Sequence, residues 1–256
     1  MEIADYITAN MPTFLFVLIR TASILMMAPI FGALLVPGRV KITLIFLVAM
    51  LLAPIIDSVP MPASMLALAI AVTGEMLIGM ALGLVIRFVF VGVEMAGQVA
   101  SFQMGLSMAK MYDPINAAQV TVIGRLLNIY MLLIFLAVNG HLMILMVLKK
   151  SFDVIPPYGF HLNDVFAETM LRHSKEIFVL GVKFAAPIIA VLLFVNFAIG
   201  LLAKLVPQLN MFVIGFAITI PTGLLMVAFS MPVYKTVILK ILDSMWGDVF
   251  AILGMM

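Results

Sequence analysis

Cysteine is absent from these 256 residues. Its absence removes disulfide staples, thiolate metal ligands and cysteine nucleophiles together, so the fold rests on packing alone. Charge is nearly as scarce: Asp, Glu, Lys and Arg make up 10% of the chain, and 14 basic against 12 acidic side chains leave a net charge of +2. These groups are scattered singly, and no polybasic tract points to nucleic acid or anionic lipid as a partner. Enzyme signatures are missing as well. There is no Gly-Lys dipeptide for a phosphate loop, no Gly-x-Ser-x-Gly and no Gly-x-Gly-x-x-Gly, and His141, His161 and His173 have no metal-ligand spacing with partner acids. Neither catalysis nor a bound cofactor or metal is expected. The first ten residues hold Glu2 and Asp5 but no Lys or Arg, so no cleaved leader is expected there.

What the chain does have is apolar length. Hydrophobic residues make up 65% of it and its mean hydropathy is +1.28, far beyond what a soluble core requires. The expected fold class is an all-α membrane protein with about six long apolar helices arranged as hairpins. A crossing helix needs about 20 apolar residues. Stretches 11–35, 42–56, 65–86, 126–148, 177–203 and 211–231 meet or approach that length, with 88–108 as a candidate seventh. Pro37-Gly38 separates the first two, and Pro54, Pro60 and Pro62 close the second, because proline cannot continue a helix.

Between Lys149 and Glu176 the chain turns polar, with Pro156-Pro157 as a stop and Asn163 as the N-cap of a short helix entering the next span. Pro207, Pro221 and Pro232 predict a kinked last span. Beyond it Ile238, Ile241, Leu242, Met245, Val249 and Ile252 form an apolar stripe, an amphipathic tail expected to lie on a membrane surface or a partner. No internal repeat divides the chain, so a single unit over 1–256 is the default. With six spans, Lys149, Lys150, Arg172, Lys175, Lys235 and Lys240 oppose Arg39, Lys41, Arg87, Lys110, Arg125 and Lys204, and this even division sets no orientation.

The stretch 74–114 is apolar enough for a bilayer yet carries Glu75, Arg87, Glu94, Gln98, Gln103, Lys110 and Asp113. An ionised group on a lipid-facing helix centre costs about 2.5–3.5 kcal/mol, so these residues must face protein, a cavity or water. Glu75 and Arg87 are twelve positions apart, about 18 Å along a helix, and cannot pair with each other on one rod. Their partners come from other helices or other chains, as do those of the isolated cations Arg20 and Lys183. Glu94, Gln98, Ser101, Gly105 and Met108 share one helical face, which either lines a hydrophilic path or forms interhelical hydrogen bonds. Gly79 and Gly83 form a GxxxG pair that favours close helix packing. Met104, Met108 and Met111 also fall together, directly before Tyr112-Asp113-Pro114. They are either core filling or a pliable closure beside the charged loop 110–116.

Three stretches in order carry a family likeness. The first is Arg20 with Ala28-Pro29-Ile30-Phe31-Gly32 and Val36-Pro37-Gly38-Arg39. The second is Gly74-Glu75, Gly79, Gly83, Ala96-Gly97-Gln98, Gln103, Gly105 and Asp113-Pro114. The third is Asn139-Gly140-His141 with Val206-Pro207-Gln208-Leu209-Asn210-Met211-Phe212. Together they resemble the FliR family of flagellar export proteins, whose injectisome counterpart is called SctT. One departure is Phe216-Ala217 after Gly215, where the family pattern is Gly-Phe-Pro.

The resemblance implies a core subunit of the flagellar type III secretion export gate, at the basal body in the bacterial inner membrane. It would join FliP and FliQ, with FlhB and FlhA as neighbours and unfolded flagellar proteins as cargo. The likeness also implies a FliP-like part over 1–175 and a FliQ-like hairpin with the amphipathic tail over 176–256. It assigns a plug at the pore to Met104, Gly105, Met108, Lys110, Met111, Tyr112, Asp113 and Pro114. Intersubunit or interhelix polar contacts are expected of Arg20, Glu75, Arg87, Glu94, Gln98, Gln103, Lys183, Gln208 and Asn210. The competing readings are the same device in a virulence injectisome, and a secondary transporter with Glu75 and Glu94 as proton carriers.

Overall fold

The computed structural model describes residues 3–29, 36–60, 62, 64–106, 121–160, 164–208 and 210–255, the side chains of 3–10 and 211 excepted. These residues form seven α-helices and no strand: α1 Ile3–Met27, α2 Gly38–Leu52, α3 Met65–Gln103, α4 Val122–Ala137, α5 Gly140–Val154, α6 Asp164–Leu205 and α7 Met211–Leu253. A 3-10 turn, Ala53–Ile55, extends α2. The class is all-α, as expected from the apolar runs. Among the described residues four helices are long and apolar enough to cross a membrane, and the α4–α5 pair, bent by 67°, makes a fifth if it counts as one span.

Four expected boundaries move, each for a local reason. Stretches 65–86 and 88–108 join into the 39-residue α3, because a lone Arg87 does not interrupt a helix. Stretch 126–148 is broken instead at Asn139, whose φ of 59° is left-handed. A Cβ on the following Gly140 would lie 2.6 Å from the Phe135 ring, so the turn closes onto that ring only with glycine. The polar stretch before 177 is no separate short helix: α6 runs unbroken for 42 residues from Asp164, and the expected cap Asn163 lies outside the described residues.

Helix α7 continues through Pro221 and Pro232 to Leu253. The expected tail is therefore its last third. Ile238, Leu242, Met245, Val249 and Ile252 of the stripe are buried by the chain itself, rather than left to cover a membrane surface or a partner.

The chain gathers into two compact units, Met1–Phe88 with Phe135–Ser174 and Asp243–Met256, and Val89–Ile134 with Lys175–Leu242. In the first, the GxxxG pair brings α3 against α1: a Cβ on Gly79 would stand 2.5 Å from Ser23 Cβ, and one on Gly83 2.5 Å from Met27 Cβ. In the second, α3 and α4 touch at Gly97, where a Cβ would meet the Cα of Gly124 at 2.3 Å. Tyr234 of α7 donates its hydroxyl to the Phe184 carbonyl of α6 at 2.5 Å. Over the most apolar 18 residues of each helix, 61% are buried in α3 against 11% in α2, 28% in α6 and 17% in α7.

Candidate functional site

Buried positions on α1 recur at helical spacing: Thr13, Phe16, Val17, Arg20, Thr21, Ile24 and Leu25. On α3 the matching stripe is Ala71, Glu75, Ile78, Leu82, Val85 and Ile86. Each stripe holds one full charge, and packing of the stripes puts the two charges face to face. Arg20 donates from Nε to Glu75 Oε2 at 2.5 Å and from Nη2 to Oε1 at 2.9 Å. Such a two-point fork is the geometry in which a guanidinium binds a carboxylate most strongly.

The third nitrogen, Nη1, donates to the carbonyls of Ser151 at 2.8 Å and Ile155 at 3.0 Å, and to Ser151 Oγ at 3.2 Å. The Ser151 carbonyl also accepts from the N–H of Ile155 at 2.9 Å, so Arg20 takes its second lone pair, while Ile155 caps the C-terminal end of α5 and offers its carbonyl beyond the last turn. The ring of Phe152 closes the cluster, 3.9 Å from Arg20 Cζ. Arg20 and Glu75 are 0% and 1% exposed. The cluster ties α1, α3 and α5 into one body, with both Glu75 carboxylate oxygens engaged by Arg20.

Beside it runs an open groove of about 520 Å³, lined by Ala67, Ile70, Thr73, Gly74, Leu77, Tyr158 and Phe160 with Glu75 at its floor. Tyr158, at a φ of 74°, donates its hydroxyl to the Pro60 carbonyl at 2.8 Å. Partial burial, and then the Glu75 charge, push that hydroxyl above the usual phenol range, which keeps it a donor.

The other predicted residues are dispersed. Glu94 is half-buried and accepts from Asn128 Nδ2 of α4 at 3.2 Å. Gln98, Lys183 and Gln208 are exposed, as is Arg87, whose Nη1 lies 4.0 Å from Met27 Sδ. Asn210 caps α7: its Oδ1 accepts from the N–H groups of Phe212 at 3.2 Å and Val213 at 3.4 Å. Ser101 is fully buried, and its hydroxyl has no partner among the described residues.

At the C-terminal end of α3, in the second unit, Met104 is fully buried and its carbonyl accepts from Thr219 Oγ1 at 3.0 Å. Its side chain fills the space over Gly223, where a Cβ would come within 2.5 Å of Met104 Cγ. Gly105 turns the chain at a φ of +84°, and the Phe216 ring occupies the place of its missing Cβ. Phe216 keeps the family's residue, and the departure from the Gly-Phe-Pro pattern falls on its neighbour Ala217. Gln103, Met104, Gly105, Asn196, Phe212 and Phe216 border a pocket of about 220 Å³. Met108, Lys110, Met111, Tyr112, Asp113 and Pro114 lie outside the described residues.

Sequence reasoning missed Ser151, Phe152 and the Ile155 carbonyl, although Pro156-Pro157 marked the helix end at which they stand. It also missed Asn128 and Thr219, and it left the histidines without acids. His173 Nδ1 of α6 stands 4.0 Å from Asp248 Oδ2 of α7. Their separation in the sequence gave no sign of it.

An apolar, all-helical chain organised around a buried ion pair is a membrane-embedded helical protein. The sequence matches the family described as Bacterial export proteins, family 1, over residues 11–245. Relatives named flagellar biosynthetic protein FliR share its length. The one from Escherichia coli (strain K12) is 35% identical over 93% of this chain and 89% of its own. That of Pectobacterium carotovorum subsp. carotovorum is 32% identical over 92% and 89%, and that of Bacillus subtilis (strain 168) 32% over 89% and 89%. The chain belongs to the FliR family of bacterial export proteins.

Proposed function

We propose that this chain is a non-enzymatic core subunit of the flagellar type III export gate in the bacterial inner membrane. It assembles with FliP- and FliQ-like subunits, has FlhB and FlhA as neighbours, and passes unfolded flagellar proteins. The observation that carries this reading is the 35% identity with the Escherichia coli protein, sustained over 93% of the chain. The apolar surfaces left open on α2, α6 and α7 support it, since surfaces of that kind are covered by lipid or by other subunits. The bidentate engagement of Glu75 by Arg20 speaks against a transporter in which Glu75 picks up and releases protons.

In this reading residues 1–175 are the FliP-like part and 176–256 the FliQ-like hairpin. Met104 and Gly105 anchor a plug that continues through Met108, Lys110, Met111, Tyr112, Asp113 and Pro114. Soft methionine side chains there close around an unfolded chain of any sequence. Deleting the gene in its host tests the assignment. Swimming and the appearance of flagellar subunits in the medium should both be lost and return with the gene in trans, and a deletion strain that still swims overturns the reading.

A further inference from the structure

The last turns of α7 return to the polar opening of α6, and a seam of polar groups runs where they meet. On α6 Thr169, His173 and Glu176 stand at i, i+4 and i+7, so they share one face of the helix. On α7 and just beyond it, Asp248, Ile252 and Met255 repeat that spacing. The two rows meet in the first unit: Thr169 Oγ1 stands 3.7 Å from Met255 Sδ, and His173 Nδ1 stands 4.0 Å from Asp248 Oδ2. One turn along α6, a carboxylate oxygen of Glu176 lies within 4.8 Å of the His173 ring nitrogen.

These three side chains supply one imidazole nitrogen and two carboxylate oxygens. The gap between His173 and Asp248 exceeds the roughly 2.7–3.2 Å of a direct hydrogen bond. An ion about 2.0–2.2 Å from each atom fits between them. Closing the angle at that ion toward tetrahedral requires the two atoms to approach by roughly half an ångström, a shift open to an Asp248 side chain that is 39% exposed. Charge points the same way. Two carboxylates beside a neutral imidazole carry two negative charges, which a divalent cation cancels and a single proton on His173 does not. Arg172 and Lys175 flank the row on α6 rather than standing in it.

Burial is graded in the order an ion site requires. His173 is 4% exposed, Asp248 half-exposed and Glu176 exposed, so packing fixes the nitrogen while the carboxylates leave an entry path and room for a water ligand. No thiolate is available in a chain without cysteine, and an imidazole with two carboxylates suits zinc or a neighbouring first-row cation.

We propose that His173, Glu176 and Asp248 bind one divalent transition-metal ion of the zinc class, which pins the end of α7 to α6. The sequence hides the site, because Glu176 alone accompanies His173 on its own helix and the third ligand comes from another.

The full-length protein, carrying a histidine-free affinity tag and purified with its co-purifying partners, is stripped with EDTA and dialysed against zinc. Metal is then counted by inductively coupled plasma mass spectrometry. The unaltered protein should hold one zinc ion more per copy of this chain than His173→Gln does. Glu176→Gln and Asp248→Asn, both nearly isosteric, should each weaken zinc binding by about tenfold or more. Asp243→Asn, at an exposed acid of the same helix as Asp248, should leave it unchanged. Cobalt in place of zinc should give visible ligand-field bands that disappear in His173→Gln, and zinc should raise the melting temperature of the unaltered protein but not of Asp248→Asn. Zinc retained equally by the unaltered protein and His173→Gln would put the metal elsewhere in the preparation and overturn the proposal. An unaltered protein that takes up no zinc would leave these side chains as an ion pair only, and overturns it as well.

Discussion

Arg20 is a buried cation whose three nitrogens all find acceptors: Nε and Nη2 on Glu75, and Nη1 on the end of α5. Taking both charges of a pair out of water costs several kcal/mol per ion, which only such complete satisfaction offsets. Arg20→Ala or Glu75→Ala should therefore each destabilise by about 3–5 kcal/mol, since either leaves one uncompensated charge inside. Arg20→Met with Glu75→Leu should be milder than either single change. Thermal unfolding of the detergent-extracted protein ranks the three variants, and a double variant no better than the singles would mean that the pair does more than hold helices together. Met108→Ala with Met111→Ala should raise small-ion leakage in planar bilayers, and unchanged conductance with normal secretion would make these methionines ordinary packing.

Among the elements, the α4–α5 bend is the most demanding, because Asn139 holds a left-handed conformation between two apolar helices. Glycine or asparagine adopts it readily, whereas an ordinary L-residue is disfavoured there by about 1–2 kcal/mol. Asn139→Gly should leave the melting temperature nearly unchanged and Asn139→Val should lower it. Equal melting of the two variants would show that the bend is not set by this residue. The Asn139-Gly140 pair was legible as punctuation in the sequence, yet the apolar run on both sides hid the break. Pro37-Gly38 was read correctly because Pro37 stands at the start of α2, where its missing N–H leaves no helix bond unmade, whereas Pro221 and Pro232 lie inside α7 without ending it. Arg87 and the polar stretch before 177 misled in the opposite direction, since polarity changes a helix's surroundings without ending it. The need for a Glu75 partner could be read from burial cost alone. That the partner is Arg20, 55 positions away and backed by the end of α5, could not. Such a pairing is fixed by how stripes on different helices pack.

At the scale of the whole molecule, what stands out is apolar surface with no cover from the chain itself. Phe194 and Phe197 on α6 are 73% and 67% exposed, and Phe229 on α7 is 74% exposed. If sister subunits seat there, Phe194→Asp should leave the isolated fold intact, because this side chain contributes little to it, while stripping partners from the purified complex. Retention of the full partner set by that variant would place lipid on this face instead. The most direct measurement is the mass of what emerges when the untagged neighbours are free to accompany the tagged chain in a gentle detergent. The account predicts an assembly several times heavier than the 27.9 kDa chain and containing further flagellar export subunits. A homogeneous, functional 27.9 kDa species carrying detergent alone would contradict it.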